Sequence, residues 1–119
     1  MIIFNHPLIE SELFFKITLQ EDISSTPPNS IVRFKFNNEN AKIIKFCTNN
    51  SVSCAVDVAS ITEALLASNL GASYIIVSEE NSSSIQKIAE TYLFDAKIIA
   101  ISKDIEKIAL LGIDGIIIL

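Results

Sequence analysis

The chain has 119 residues, of which 50% are apolar and 19% charged, with a net charge of −5. That length suits a single domain that needs no disulfide or metal staple, and the apolar content implies elements covered on both faces. No uninterrupted apolar stretch approaches the ~20 residues that cross a bilayer. Among nine basic residues only Arg33 is an arginine, and there is no tryptophan; the lysines stand singly between acids. Nucleic-acid and membrane partners are therefore not expected. The excess of Ile, Lys and Asn points to an AT-rich, bacterial coding genome.

The opening residues, Met1 to Pro7, lack a basic stretch, a long apolar core and a small-residue cleavage site, so no signal peptide is read and a cytoplasmic location is expected. Leu13-Phe14-Phe15-Lys16-Ile17 reads as a strand, with a helix opened by Pro7 and running through Ile9, Leu13 and Ile17 as the alternative. Thr18-Leu19-Gln20-Glu21 has the form of a capping box before a short helical turn. Ser24 to Ser30, with Pro27-Pro28 at its centre, is a loop. Ile31 to Phe36 alternates and is rich in β-branched and aromatic residues, which predicts a strand. Asn37-Asn38 turns the chain into a helix through Ala41, Ile44 and Cys47 that ends at Asn49-Asn50.

Val52 to Asp57 is the next strand. Ser60-Ile61-Thr62-Glu63 is a capping box that opens a helix ended by Gly71. Tyr74 to Val77 is a buried strand, followed by a helix from Ser84 with Ile85, Ile88, Ala89 and Tyr92 on one face. Lys97 to Ile101 is a strand, Asp104 to Leu111 a short helix stopped by Gly112, and Gly115 to Leu119 a last strand.

Strand starts near 31, 52, 74, 97 and 115 alternate with helices at a spacing that gives right-handed crossovers and parallel pairing. The near-continuous apolar strands agree, because parallel strands are buried on both faces. The expected fold class is α/β: one domain over 1–119, a three-layer αβα sandwich with a mainly parallel sheet of five or six strands, flavodoxin- or Rossmann-like. A faint repeat links Val58 through Ile76 with Ile101 through Ile117, each passing from a strand end to a helix, a Leu-Gly stop and an Ile-rich strand. This cadence resembles the βα units of phosphate-binding TIM barrels. It covers under half of a chain too short for eight such units, and convergence on compact βα geometry accounts for it.

The three glycines follow helices or start a strand, and none lies at a strand-to-helix turn, where dinucleotide folds and P-loop enzymes need them. No G-x-S-x-G elbow is present. In open parallel sheets ligands bind beyond the carboxyl ends of the strands, so the candidate ligand residues are Asp57, Ser60, Ser78, Lys103 and Asp104. Asp57, Ser78 and Lys103 end three successive strands in a manner that resembles response-regulator receivers. The acidic pair that receivers carry after their first strand is replaced here by Thr18-Leu19. Ser60 and Asp104 also suit helix caps. Cys47 and Cys54 form no C-x-x-C pair and are expected to be buried free thiols. The lone histidine, His6, has no recognisable catalytic or metal-binding partners, and neither catalytic residue, metal nor cofactor is assigned.

The functional expectation is a non-enzymatic binding or protein-interaction module that self-associates, most simply as a homodimer. The alternative is a small enzyme or sensor that takes a small anionic or metal-bridged ligand at the carboxyl edge of the sheet.

Overall fold

The computed structural model describes residues 1–119. Seven strands form one sheet: β1 (Ile2–Phe4), β2 (Phe14–Lys16), β3 (Ile31–Lys35), β4 (Cys54–Asp57), β5 (Tyr74–Ser78), β6 (Lys97–Ser102) and β7 (Gly115–Ile118). Between them lie a 3-10 helix over Gln20–Ser25 and helices α1 (Ala41–Asn49), α2 (Ile61–Leu70), α3 (Glu79–Thr91) and α4 (Ile105–Leu110). All six neighbouring pairs are parallel, in the order β1-β7-β6-β5-β4-β3-β2. This is the α/β class that the sequence predicts, with a parallel sheet flanked by helices, consistent with a flavodoxin- or Rossmann-like arrangement. The sheet has seven strands rather than five or six, because the three-residue β1 adds to β7.

Strand order follows chain order from β2 to β7, and the helices between these strands bury their apolar sides on one face. Ile43, Ile44 and Cys47 of α1, Ala64 and Ala67 of α2, Ile85 and Ala89 of α3 and Ile108 of α4 share a cluster with Val32, Phe34, Val56, Ile75, Val77, Ile98, Ala100 and Ile116. Strand alternation sends the intervening residues to the other face, where Phe4, Ile31, Ala55, Ile76, Ile99 and Ile117 form a second cluster. Curvature covers this second face. Six inter-strand spacings would separate the edges of a flat sheet by about 29 Å, yet the Phe4 and Phe14 rings, on opposite edge strands, lie 4.7 Å apart. Phe4 also meets Tyr74 of β5 at 5.8 Å. The sheet therefore curls almost onto itself, with Phe4, Phe14 and Tyr74 plugging its amino end.

Local chemistry explains the element ends. The Ser60 hydroxyl accepts from the Glu63 amide at 3.1 Å and the Glu63 carboxylate accepts from the Ala59 amide at 2.8 Å, the expected cap reaching one residue further back. Gly71 adopts φ 104°, and a Cβ there would also stand 2.5 Å from the Thr48 hydroxyl. Gly115 is fixed by close approach: a Cβ would lie 2.7 Å from Ile99 Cδ1 and 2.8 Å from the Ile2 carbonyl of β1. Two expectations shift. α3 begins at Glu79, not Ser84, because the Ser78 hydroxyl caps it and Glu79 and Glu80 favour its first turn. The turn after β2 is capped by Asp22, whose carboxylate accepts from the Thr18 and Leu19 amides, rather than by the Thr18–Glu21 pair. Those two amides hold the Asp22 carboxyl below the usual range.

Candidate functional site

Parallel pairing throughout puts every strand's carboxyl end at one mouth of the curled sheet, so Asp57, Ser60, Ser78, Lys103 and Asp104 all lie at that end. Their tasks differ. Ser60 caps α2, Ser78 caps α3 through the Asn81 amide at 3.3 Å, and Asp104 caps α4 through the Lys107 amide at 3.1 Å. Lys103 is exposed. Asp104 borders a shallow cavity on α4 with Glu106, Lys107, Leu110 and Leu111, and Asp57 lines the one cavity to which several strands contribute charged side chains.

That cavity, of ≈ 180 Å³, is bounded by Lys16, Ile17, Arg33, Phe34, Lys35 and Asp57. Its charged members share the concave face by strand alternation. Phe14, Ile31 and Ala55 pack in the concave cluster; Lys16 stands two residues beyond Phe14, Arg33 two beyond Ile31, and Asp57 two beyond Ala55. Lys35 follows Arg33 by two. Register completes the arrangement, with Lys16 beside Arg33 and Lys35 beside Asp57. Four charges from three adjacent strands thus converge at the mouth.

Arg33 and Asp57 form a bidentate pair, Nε to Oδ1 at 2.8 Å and Nη2 to Oδ2 at 2.7 Å. Their side chains are 15% and 31% exposed, so the pair is partly desolvated and its planar geometry is the strong form of a charge-assisted contact. It fixes the guanidinium against the wall while leaving Nη1 uncommitted. Lys16 and Lys35 flank it, exposed and without a carboxylate within ion-pair distance. A chain with net charge −5 therefore concentrates three cations and one acid in one small concavity.

A second polar network lies on the helix side of the same end. Glu79 accepts from the Ser102 hydroxyl, in a very short contact, and from Lys107 Nζ at 3.0 Å, while the Ser102 oxygen accepts from the Asp104 amide at 3.0 Å. The Ser102 hydroxyl first and Lys107 second hold the Glu79 carboxyl below its usual range, and Glu79 raises Lys107 in return. Ser102 is buried and engaged on both sides, so this network ties α3 to α4.

At the opposite end, a cavity of ≈ 330 Å³ is lined by Glu12, Ile23, Thr26, Asn29, Ser30, Ser51 and Ser53 among others. It is larger but carries a single charge, and it sits where strands begin. Glu12, after burial, helps to raise the Tyr74 hydroxyl at this end. Cys47 and Cys54 are buried free thiols, as expected; the hydrogen bond that Cys47 donates to Cys54, with burial next, pushes the Cys47 thiol well above the ordinary thiol range. No group of three or more His, Cys, Asp or Glu side chains assembles, and no helix is long and apolar enough to cross a membrane.

Lys16, Arg33 and Lys35 are site residues that the strand-end reasoning does not reach. Their signal was the charged alternation inside Ile31 to Phe36, which places two cations on one face of a strand whose other face is apolar. No protein-family model matches the chain, and no curated protein matches it significantly.

Proposed function

We propose that the protein is a binding module for a small anion, held at the carboxyl mouth of the curled sheet by Lys16, Arg33 and Lys35. The observation that carries this reading is the convergence of three cations on a concave, partly desolvated cavity in an otherwise acidic chain. Mouths of curled parallel sheets are preferred ligand positions, and a few convergent polar groups over an apolar floor are what such sites use. The apolar part of the lining here is Ile17 and Phe34. Asp57 sets the guanidinium in place and offers an acceptor to a hydroxyl on the ligand. Titration of sulfate into ¹⁵N-labelled protein tests the reading. Amide shifts concentrated at residues 16–17, 33–35 and 57–58 support it; shifts centred on the amino-end cavity, or none, contradict it.

A second reading, self-association as a homodimer, is favoured by the seam between β1 and β2. These are the two edge strands, the segment joining them contains no helix, and Leu8, Ile9 and Leu13 in it are exposed. Unpaired edges and contiguous apolar side chains favour a second copy across a two-fold axis. Two free thiols suit a reducing, cytoplasmic setting.

A further inference from the structure

We propose that the mouth site selects dianions over monoanions, its ligand being a small dianion such as a phosphate monoester. The inference rests on the anion-binding reading above and adds the ligand's charge. Arg33 and Asp57 neutralise each other through two contacts at 2.8 and 2.7 Å, so the pair contributes no net charge. Two ammonium groups remain, Lys16 beside Arg33 and Lys35 beside Asp57 in the strand register.

Their side chains rise from positions diagonal to each other across β2 and β3. Long, flexible stems let both reach one ligand group over the guanidinium between them. A monoanion leaves one ammonium uncompensated at the mouth; a dianion compensates both. The uncommitted Nη1 of Arg33 adds a planar donor suited to a tetrahedral oxyanion. A cavity of ≈ 180 Å³ restricts the body of the ligand to a few heavy atoms. The groups facing the ligand are Lys16 from β2, Arg33 and Lys35 from β3 and Asp57 from β4.

The test is calorimetric titration of the whole chain with methyl phosphate, sulfate, succinate and acetate at pH 7.5 and pH 5, at constant ionic strength. A phosphate monoester loses its second charge with a pKa near 6, so methyl phosphate should bind about ten-fold more weakly at pH 5 than at pH 7.5. Sulfate stays doubly charged over this range and should bind equally at both, which removes any titration of the protein from the comparison. Lys16→Gln and Lys35→Gln should each weaken sulfate by about two- to five-fold, the worth of one exposed charge contact. Lys87→Gln on α3 should leave it unchanged. Acetate binding as tightly as sulfate, or methyl phosphate binding with no pH dependence beyond that of sulfate, would overturn the dianion inference while leaving the anion site standing. Succinate exceeding sulfate and methyl phosphate would overturn the compact oxyanion in favour of a dicarboxylate. Failure of all four to bind would remove both readings.

Discussion

Replacing Asp57 with alanine should destabilise the protein and, at the same time, make its stability unusually sensitive to added anion. The substitution removes both contacts to Arg33 and leaves a guanidinium whose side chain is only 15% exposed facing Lys16 and Lys35. Breaking a fully buried pair costs about 3–5 kcal/mol, and breaking an exposed one costs about 0–1. With the Asp57 side chain 31% exposed, solvent screens part of the loss, and about 1–2 kcal/mol is expected. Urea unfolding followed by circular dichroism should show a midpoint lower by roughly 1 M at an ordinary slope for this size.

Sulfate should then return more stability to Asp57→Ala than to the parent protein, because it supplies the charge that Asp57 provided. A ligand at ten times its Kd stabilises by about 1.4 kcal/mol. Sulfate also stabilises proteins generally by exclusion from their surface, so the decisive quantity is the difference between variant and parent. Equal gains for both would refute the reasoning, since the cationic cluster would then have no particular affinity for an anion.

Ile99, fully buried in the concave cluster, should lose about 2–5 kcal/mol as Ile99→Ala by thermal or urea unfolding; a loss under 1 kcal/mol would mean that the concave face is not packed. Glu79 is held below its ordinary pKa of 4.5, so its network contributes stability above that pH, and the contribution is lost as pH falls through the lowered value. Glu79→Gln should therefore flatten the acid limb of a midpoint-against-pH curve, and an unchanged limb would contradict the network. Sedimentation equilibrium should give twice the 13.1 kDa chain mass, with Leu13→Glu shifting the equilibrium toward the monomer; a single 13.1 kDa species at high concentration would rule out the dimer.

The sequence carried the fold where periodicity was strong and local chemistry matched it. β3 to β7 and α1, α2 and α4 lie close to their predicted spans because alternation, Ser60, Gly71 and Gly112 all point the same way. The strand over residues 13–17 was also legible, since Phe14, Phe15 and Ile17 suit a sheet. β1 was not: three residues, Ile2 to Phe4, are too few for a period, and what makes them a strand is the close approach of Ile2 to Gly115 across the sheet. The start of α3 was hidden by the polar run from Glu79 to Ser83, whose helical character comes from the Ser78 cap.

Part of the site was visible. Asp57 was found from its place at a strand end, while Ser60, Ser78 and Asp104 shared that place but serve as caps. Arg33 and Lys35 show in the sequence as strand alternation, which does not say which face of the sheet they join. That question depends on the curl, and the curl depends on Phe4 meeting Phe14 across residues that no local pattern connects.

The most direct test of the central claim is a crystal structure grown in selenate and measured at the selenium edge. The account predicts an anomalous peak at the carboxyl mouth, within hydrogen-bonding distance of Lys16 Nζ, Lys35 Nζ and Arg33 Nη1, with the Arg33–Asp57 pair intact. A mouth without selenium, with anomalous density only at the amino-end cavity or on scattered surface lysines, would contradict it.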